Sequence, residues 1–119
     1  MKKYWAEFLG TYILVFVGAG AIIINSVTEG TVSHLGIGLS FGLVVMAMIY
    51  AIGDISGAHI NPAVTIAFWV AKRFPANQLL QYISFQLLGA ISASATLYFL
   101  FPDALTMGQT LPLNGNWMQ

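Results

Sequence analysis

The chain has 119 residues, 58% of them hydrophobic and 7% charged, with a formal net charge of zero and no cysteine. That composition excludes an ordinary soluble domain and offers no basic surface for nucleic acid; without thiols there is no disulfide, thiolate metal site or cysteine nucleophile. No linker, repeat or low-complexity tract divides residues 1–119, so one structural unit is expected.

Residues 4–24 are the first stretch long and apolar enough to cross a bilayer, which takes about 20 helical residues. Lys2 and Lys3 ahead of an apolar run imitate a signal peptide, but the length of the run and Glu7 inside it favour a retained span. An acid within a membrane costs roughly 2.5–3.5 kcal/mol on insertion scales, so Glu7 is expected to have a partner rather than relay protons. Ala6 and Gly10 form a small-residue ridge suited to close helix contact, and Tyr4 and Trp5 suit a membrane interface. In the following segment His34, near Glu29, reads as a solvated histidine.

The second span is expected over residues 35–52. Gly38 and Gly42 make a Gly-x-x-x-Gly pair there, read as a packing device, while Met46 and Met48 read as core or lipid-facing. Residues 56–65 then read Ser-Gly-Ala-His-Ile-Asn-Pro-Ala-Val-Thr, placing an Asn-Pro helix start inside apolar sequence. Pro62 at the first helical position loses no hydrogen bond, and Asn61 before it can cap the free N–H groups. A helix from Pro62 to Ala71 is about 15 Å long, half the hydrocarbon thickness, with Lys72 and Arg73 at its negative pole. Asn61 should therefore lie near the midplane, and residues 52–60 should descend to it without helical hydrogen bonding, which is tolerated only where backbone is buried in protein or lines a wet cavity. Residues 53–71 are thus a re-entrant loop and half-helix, with Trp69 near its end as an interfacial aromatic.

The third span is expected over residues 79–101, with Gln86 as interhelical glue and Tyr98 near the far interface. The predicted fold is an all-α membrane protein of three transmembrane helices plus one re-entrant half-helix. All four Lys and Arg residues precede span one or lie between spans two and three, and the segments 25–34 and 102–119 have none. The positive-inside rule puts the N-terminus in the cytoplasm and the C-terminus outside, and the expected location is the plasma (cell inner) membrane. The two histidines fall on opposite sides, so no metal site is expected. No nucleophile with an orienting base and no phosphate loop is present, so neither enzyme activity nor a cofactor is expected.

The chain resembles the N-terminal half of an aquaporin, a member of the major intrinsic protein family. Three motifs in order carry the resemblance: Ala6-Glu7-Phe8-Leu9-Gly10-Thr11 in the first span, residues 56–65 as the first Asn-Pro-Ala loop, and Gln86-Leu87-Leu88-Gly89-Ala90 in the third span. Family members have six spans and two half-helices arranged as an inverted repeat whose two Asn-Pro-Ala starts meet at the midplane; the second start, its following Arg and the fifth-span filter residue have no counterpart here. The resemblance implies that Glu7 accepts from N–H groups of the re-entrant loop. It also implies that the carbonyls of Gly57, Ala58 and His59 line a half-pore; His59 itself reads as a satisfied loop histidine rather than a gate.

At the Asn61, Pro62, Ala63 motif, the Asn61 oxygen would cap the helix while its amide N–H₂ donates to water in the pore. The positive helix pole adds a barrier to protons and cations. Phe41 stands where water-selective members usually carry an aromatic such as Phe and glycerol facilitators usually carry Trp, which favours water, with glycerol as the alternative. Val45, one turn on, shares its face and is expected on the apolar wall.

The expected function is half of a channel for water or small neutral solutes, excluding protons and ions. Its partners would be membrane lipid and either a second aquaporin half or an inverted copy of itself, with tetramers of complete pores as the resemblance suggests. The one-sided basic residues disfavour the inverted copy. Alternatives are a truncated, non-conducting fragment and a small membrane protein that regulates full-length channels. Trp117-Met118-Gln119 resembles the lead-in to a fourth span, which favours truncation. Without cysteine, mercurials are expected to have no action through this half.

Overall fold

The computed structural model describes residues 1–104 and 107–110, so the reading of residues 117–119 lies outside the described residues. Four α-helices form: α1 (Lys2–Val27), α2 (Ser33–Ser56), α3 (Pro62–Val70) and α4 (Leu79–Leu100), the last entered through a 3-10 turn, Ala76–Gln78. Three stretches, Lys2–Val27, Ser33–Ser56 and Ala76–Leu100, are long and apolar enough to cross a membrane, with mean hydropathies of 2.0, 2.2 and 1.5. The longest molecular dimension is 44 Å. An all-α membrane architecture of three spans and a half-length helix is the observed fold.

Helix α1 is the centre, packing against both α2 and α4, while α3 leans on α4. Close approach to α1 is what its facing small residues permit. A Cβ on Gly89 would collide with the Phe8 carbonyl and sit 3.2 Å from the Tyr12 nitrogen, and one on Gly18 would strike the Phe41 ring. Higher up, the Tyr12 hydroxyl donates to Thr96 Oγ1 at 2.9 Å, tying α1 to α4.

The expected helix ends need correction. The second span does not end at residue 52: α2 runs on to Ser56, and only the short stretch from Gly57 to Asn61 is non-helical. In an apolar medium a residue left in the helix satisfies its own backbone, so the helix persists until Gly57 breaks it at φ 86. A Cβ on Gly38 or Gly42 meets no atom within 4 Å among the described residues. The spacing is a packing pattern, and among the described residues nothing packs on it.

Helix α3 ends one residue earlier than expected, and its end is built from backbone. The Lys72 and Arg73 N–H groups donate to the carbonyls of Trp69 and Phe68 at 2.9 and 2.8 Å, a Schellman closure with Lys72 left-handed at φ 60.

Candidate pore-lining site

The re-entrant loop turns tightly with a glycine at only one of its three left-handed positions. Gly57, Ala58 and Ile60 all have left-handed φ, at 86, 49 and 44. For Ala58 and for β-branched Ile60 that conformation costs roughly 1–2 kcal/mol each. The compensation is Glu7, wholly buried on α1. Its carboxyl oxygens accept from the His59 N–H at 3.0 Å, the Ile60 N–H at 2.7 Å, Ser56 Oγ at 2.7 Å and Gln86 Nε2 at 2.7 Å. Ser56 Oγ in turn accepts from the Ala58 N–H at 3.1 Å. The Ile60 side chain seats on Gly10, where a Cβ would stand 2.5 Å from its Cγ2. One acid from α1, one serine from α2 and one amide from α4 therefore hold the loop in its unusual conformation.

Asn61 ends the loop in extended backbone, and its Oδ1 accepts from the Ala63 N–H at 2.8 Å. Pro62 occupies the first turn of α3, as a residue without an N–H can. With Oδ1 engaged in the cap, the Asn61 amide N–H₂ has no partner among the described residues, and the side chain is exposed. The carbonyls of Gly57, Ala58 and His59 likewise accept no hydrogen bond among the described residues. These four residues border a groove of about 390 Å³ whose other walls are Leu14, Val45, Ile49, Ile60, Val64 and Phe68. The result is a largely apolar trough bordered by residues that carry free carbonyl acceptors and a free amide donor.

Phe41 lies elsewhere. Packed on Gly18, it borders a second cavity of about 520 Å³ at the far end of α1 and α2, with Ile22, Asn25, His34, Gln109 and Thr110 among its walls. Phe41 and Val45 are thus one turn apart on α2 but open to different cavities. Gln86, fully buried, spends both amide protons, one on Glu7 and one on Thr65 Oγ1 at 2.9 Å.

Sequence reasoning missed three further groups. Tyr82, four residues before Gln86 and so on its face of α4, donates its hydroxyl to the Ser56 carbonyl at 2.7 Å. Thr65, wholly buried, bridges Gln86, His59 and the Asn61 carbonyl. The aromatic rings of Phe68, Phe74 and Tyr82 surround His59, with centroids 4.8, 5.0 and 5.2 Å from the imidazole. The i, i+4 spacing from Asn61 to Thr65 and from Tyr82 to Gln86 is the only local signal any of these carries. Phe74 also packs on Tyr82 and Tyr82 on Tyr4, so Lys2, Lys3 and the Lys72–Arg73 corner share one end of the bundle. Among the described residues no group of three His, Asp or Glu side chains is placed to hold a metal.

The profile of the major intrinsic protein family matches residues 1–117. Aquaporin NIP1-1 of Zea mays is 50% identical over 101 residues, covering 85% of this chain and 36% of the relative. Aquaporin NIP1-1 of Arabidopsis thaliana is 48% identical over 85% of this chain and 34% of its own length. Among solved structures, the aquaglyceroporin from Plasmodium falciparum superposes with a TM-score of 0.78 at 30% identity, covering 96% of this chain and 52% of that one. The chain thus spans about a third of the length of these plant relatives and about half of the solved structure. With its apolar helices and a family match over nearly its whole length, this chain is an integral membrane protein and belongs to the major intrinsic protein family.

Proposed function

We propose that these residues form one wall of a pore that passes water or small neutral solutes and rejects protons and ions. The observation that carries this reading is that Asn61, with its unpaired amide, and Gly57, Ala58 and His59, with their free carbonyls, border one otherwise apolar groove. A water held by the Asn61 donor is oriented by it, and the positive pole of α3 at the same point repels cations. Row-wise acceptors replace part of a neutral solute's hydration, while apolar walls offer nothing to an ion. The names of the relatives, aquaporin and aquaglyceroporin, agree with this class of solute. The Phe41 ring supports water over glycerol.

The opposite wall comes from a second set of helices, for which the open Gly38 and Gly42 face of α2 is a suitable contact. The one-sided Lys and Arg residues support a cytoplasmic N-terminus and re-entrant loop, and they argue against a second copy of this chain as the opposite wall. The absence of cysteine gives a clean test. With the opposite wall co-expressed, Val45→Cys and Val64→Cys should react with a water-soluble, membrane-impermeant thiol reagent, and Leu80→Cys and Phe99→Cys on the outer surface should not. Equal protection at all four positions would refute a wet groove.

A further inference from the structure

We propose that the groove between α1 and α2 at the N-terminal end of α1 binds an anionic phospholipid, its phosphate on Lys2 and an acyl chain against Leu9, Ile52 and Ile55. The proposal does not depend on the pore reading. The cavity holds about 460 Å³ between Lys2, Trp5, Ala6 and Leu9 of α1 and Ile52 and Ile55 of α2. Apart from Lys2 its lining is apolar. Ala6 and Ile52 belong to a buried cluster whose other members, Ala58 and Ile60, border the pore groove. The two grooves thus back onto the same cluster and remain separate cavities.

The polarity of this groove is that of a lipid. Lys2, exposed at the start of the first span, sits at the level of the headgroups, where a long cationic side chain keeps its charge in water and its stem on apolar surface. From there the lining runs to Leu9, about 10 Å further along α1 towards the midplane. No acid competes for the cation in the groove. Of the four acids, Glu29 and Asp103 follow the far ends of α1 and α4, Glu7 is buried against the re-entrant loop, and Asp54 does not border the cavity. Trp5 forms a fixed side wall, its ring held edge-on by Phe8 and Phe85 at centroid distances of 5.6 and 5.2 Å. A second helix fits this lining poorly, because close helix contact within a membrane uses small residues, and only Ala6 here is small. A flexible acyl chain fills the space between Trp5, Leu9 and Ile55, and an anionic headgroup meets the one charge at its mouth.

The test reads contact between lipid and Trp5. The full chain, with Trp69→Phe and Trp117→Phe so that Trp5 alone fluoresces, is reconstituted in phosphatidylcholine bilayers, and chain-brominated phosphatidylglycerol or chain-brominated phosphatidylcholine is added as a contact quencher. Half-maximal quenching is expected at a roughly five-fold lower fraction of the anionic lipid, the effect of one cation near a membrane surface. Lys2→Gln should remove that preference, and Lys72→Gln with Arg73→Gln should keep it. Leu9→Phe with Ile55→Phe, which narrows the groove and leaves every cation in place, should also remove it. Equal quenching by the two lipids with Lys2 and the groove intact overturns the proposal without any further variant. So does a preference that survives Lys2→Gln or the narrowed groove, or one that Lys72→Gln with Arg73→Gln abolishes, since each marks a general attraction to basic residues. The readings are repeated with the opposite wall co-reconstituted and should be unchanged; loss of quenching by both lipids there would place protein in the groove and overturn the proposal as well.

Discussion

Replacing Glu7 should unfasten the re-entrant loop, and the cost can be built from its partners. The carboxyl accepts from two backbone N–H groups, of His59 and Ile60, and from the Ser56 and Gln86 side chains. Interhelical side-chain bonds in membranes average about 0.6 kcal/mol, because the separated helices find other partners. The two loop N–H groups are different: buried at left-handed or adjacent positions, they have no helix to return to, and each unsatisfied donor costs roughly 1–3 kcal/mol. Backbone donors therefore dominate, and Glu7→Ala should lose about 4 kcal/mol. Glu7→Gln keeps one acceptor oxygen but turns an N–H₂ towards a donor, for a loss of about 2 kcal/mol. Unfolding in mixed micelles followed by circular dichroism, with the fluorescence of Trp69 on α3 reporting the half-helix, gives both values. A Glu7→Ala protein within 1 kcal/mol of wild type would refute the claim that this carboxyl holds the loop.

Three further outcomes are expected. Gly89→Ala drives a methyl into the Phe8 backbone and should destabilise by about 1–3 kcal/mol in the same unfolding assay, since neither helix can yield locally. Gly38→Ala and Gly42→Ala meet no atom within 4 Å among the described residues, so each should leave the chain's stability unchanged or raise it by about 0.5–1 kcal/mol while weakening co-purification with the opposite wall. Lys72→Gly relieves a left-handed side chain and should stabilise the α3 terminus by about 1 kcal/mol, read as slower proteolysis at the Lys72–Arg73 corner relative to Lys72→Ala.

Hydropathy is a long-range average, which is why the three spans were legible while their ends were not. The run of α2 through residues 53–56 follows from the backbone's need for partners in an apolar medium, a term no residue type announces. The α3 start was legible because it is local: Asn61 and Pro62 act within one turn. The loop before it was only partly so, because Ala58 and Ile60 adopt glycine-like φ values without being glycine, in a loop held by an acid that accepts from His59 and Ile60, 52 and 53 positions further on. Gly38 and Gly42 illustrate the converse. Their spacing describes what a helix face can do, while the neighbour that would use it is not within the described residues. Thr65 and Tyr82 became visible only when the fold brought three helices to one polar cluster.

The most direct test of the pore reading is osmotic shrinkage of proteoliposomes followed by stopped-flow light scattering. The samples would hold this chain alone, this chain with the remaining C-terminal part of a major intrinsic protein relative, and the same pair carrying Asn61→Asp. The account predicts lipid-like shrinkage for the chain alone, fast shrinkage for the pair, and a marked loss of rate in the variant, whose cap survives but whose free donor is gone. Fast shrinkage that Asn61→Asp leaves untouched, or a pair no faster than lipid, would contradict it.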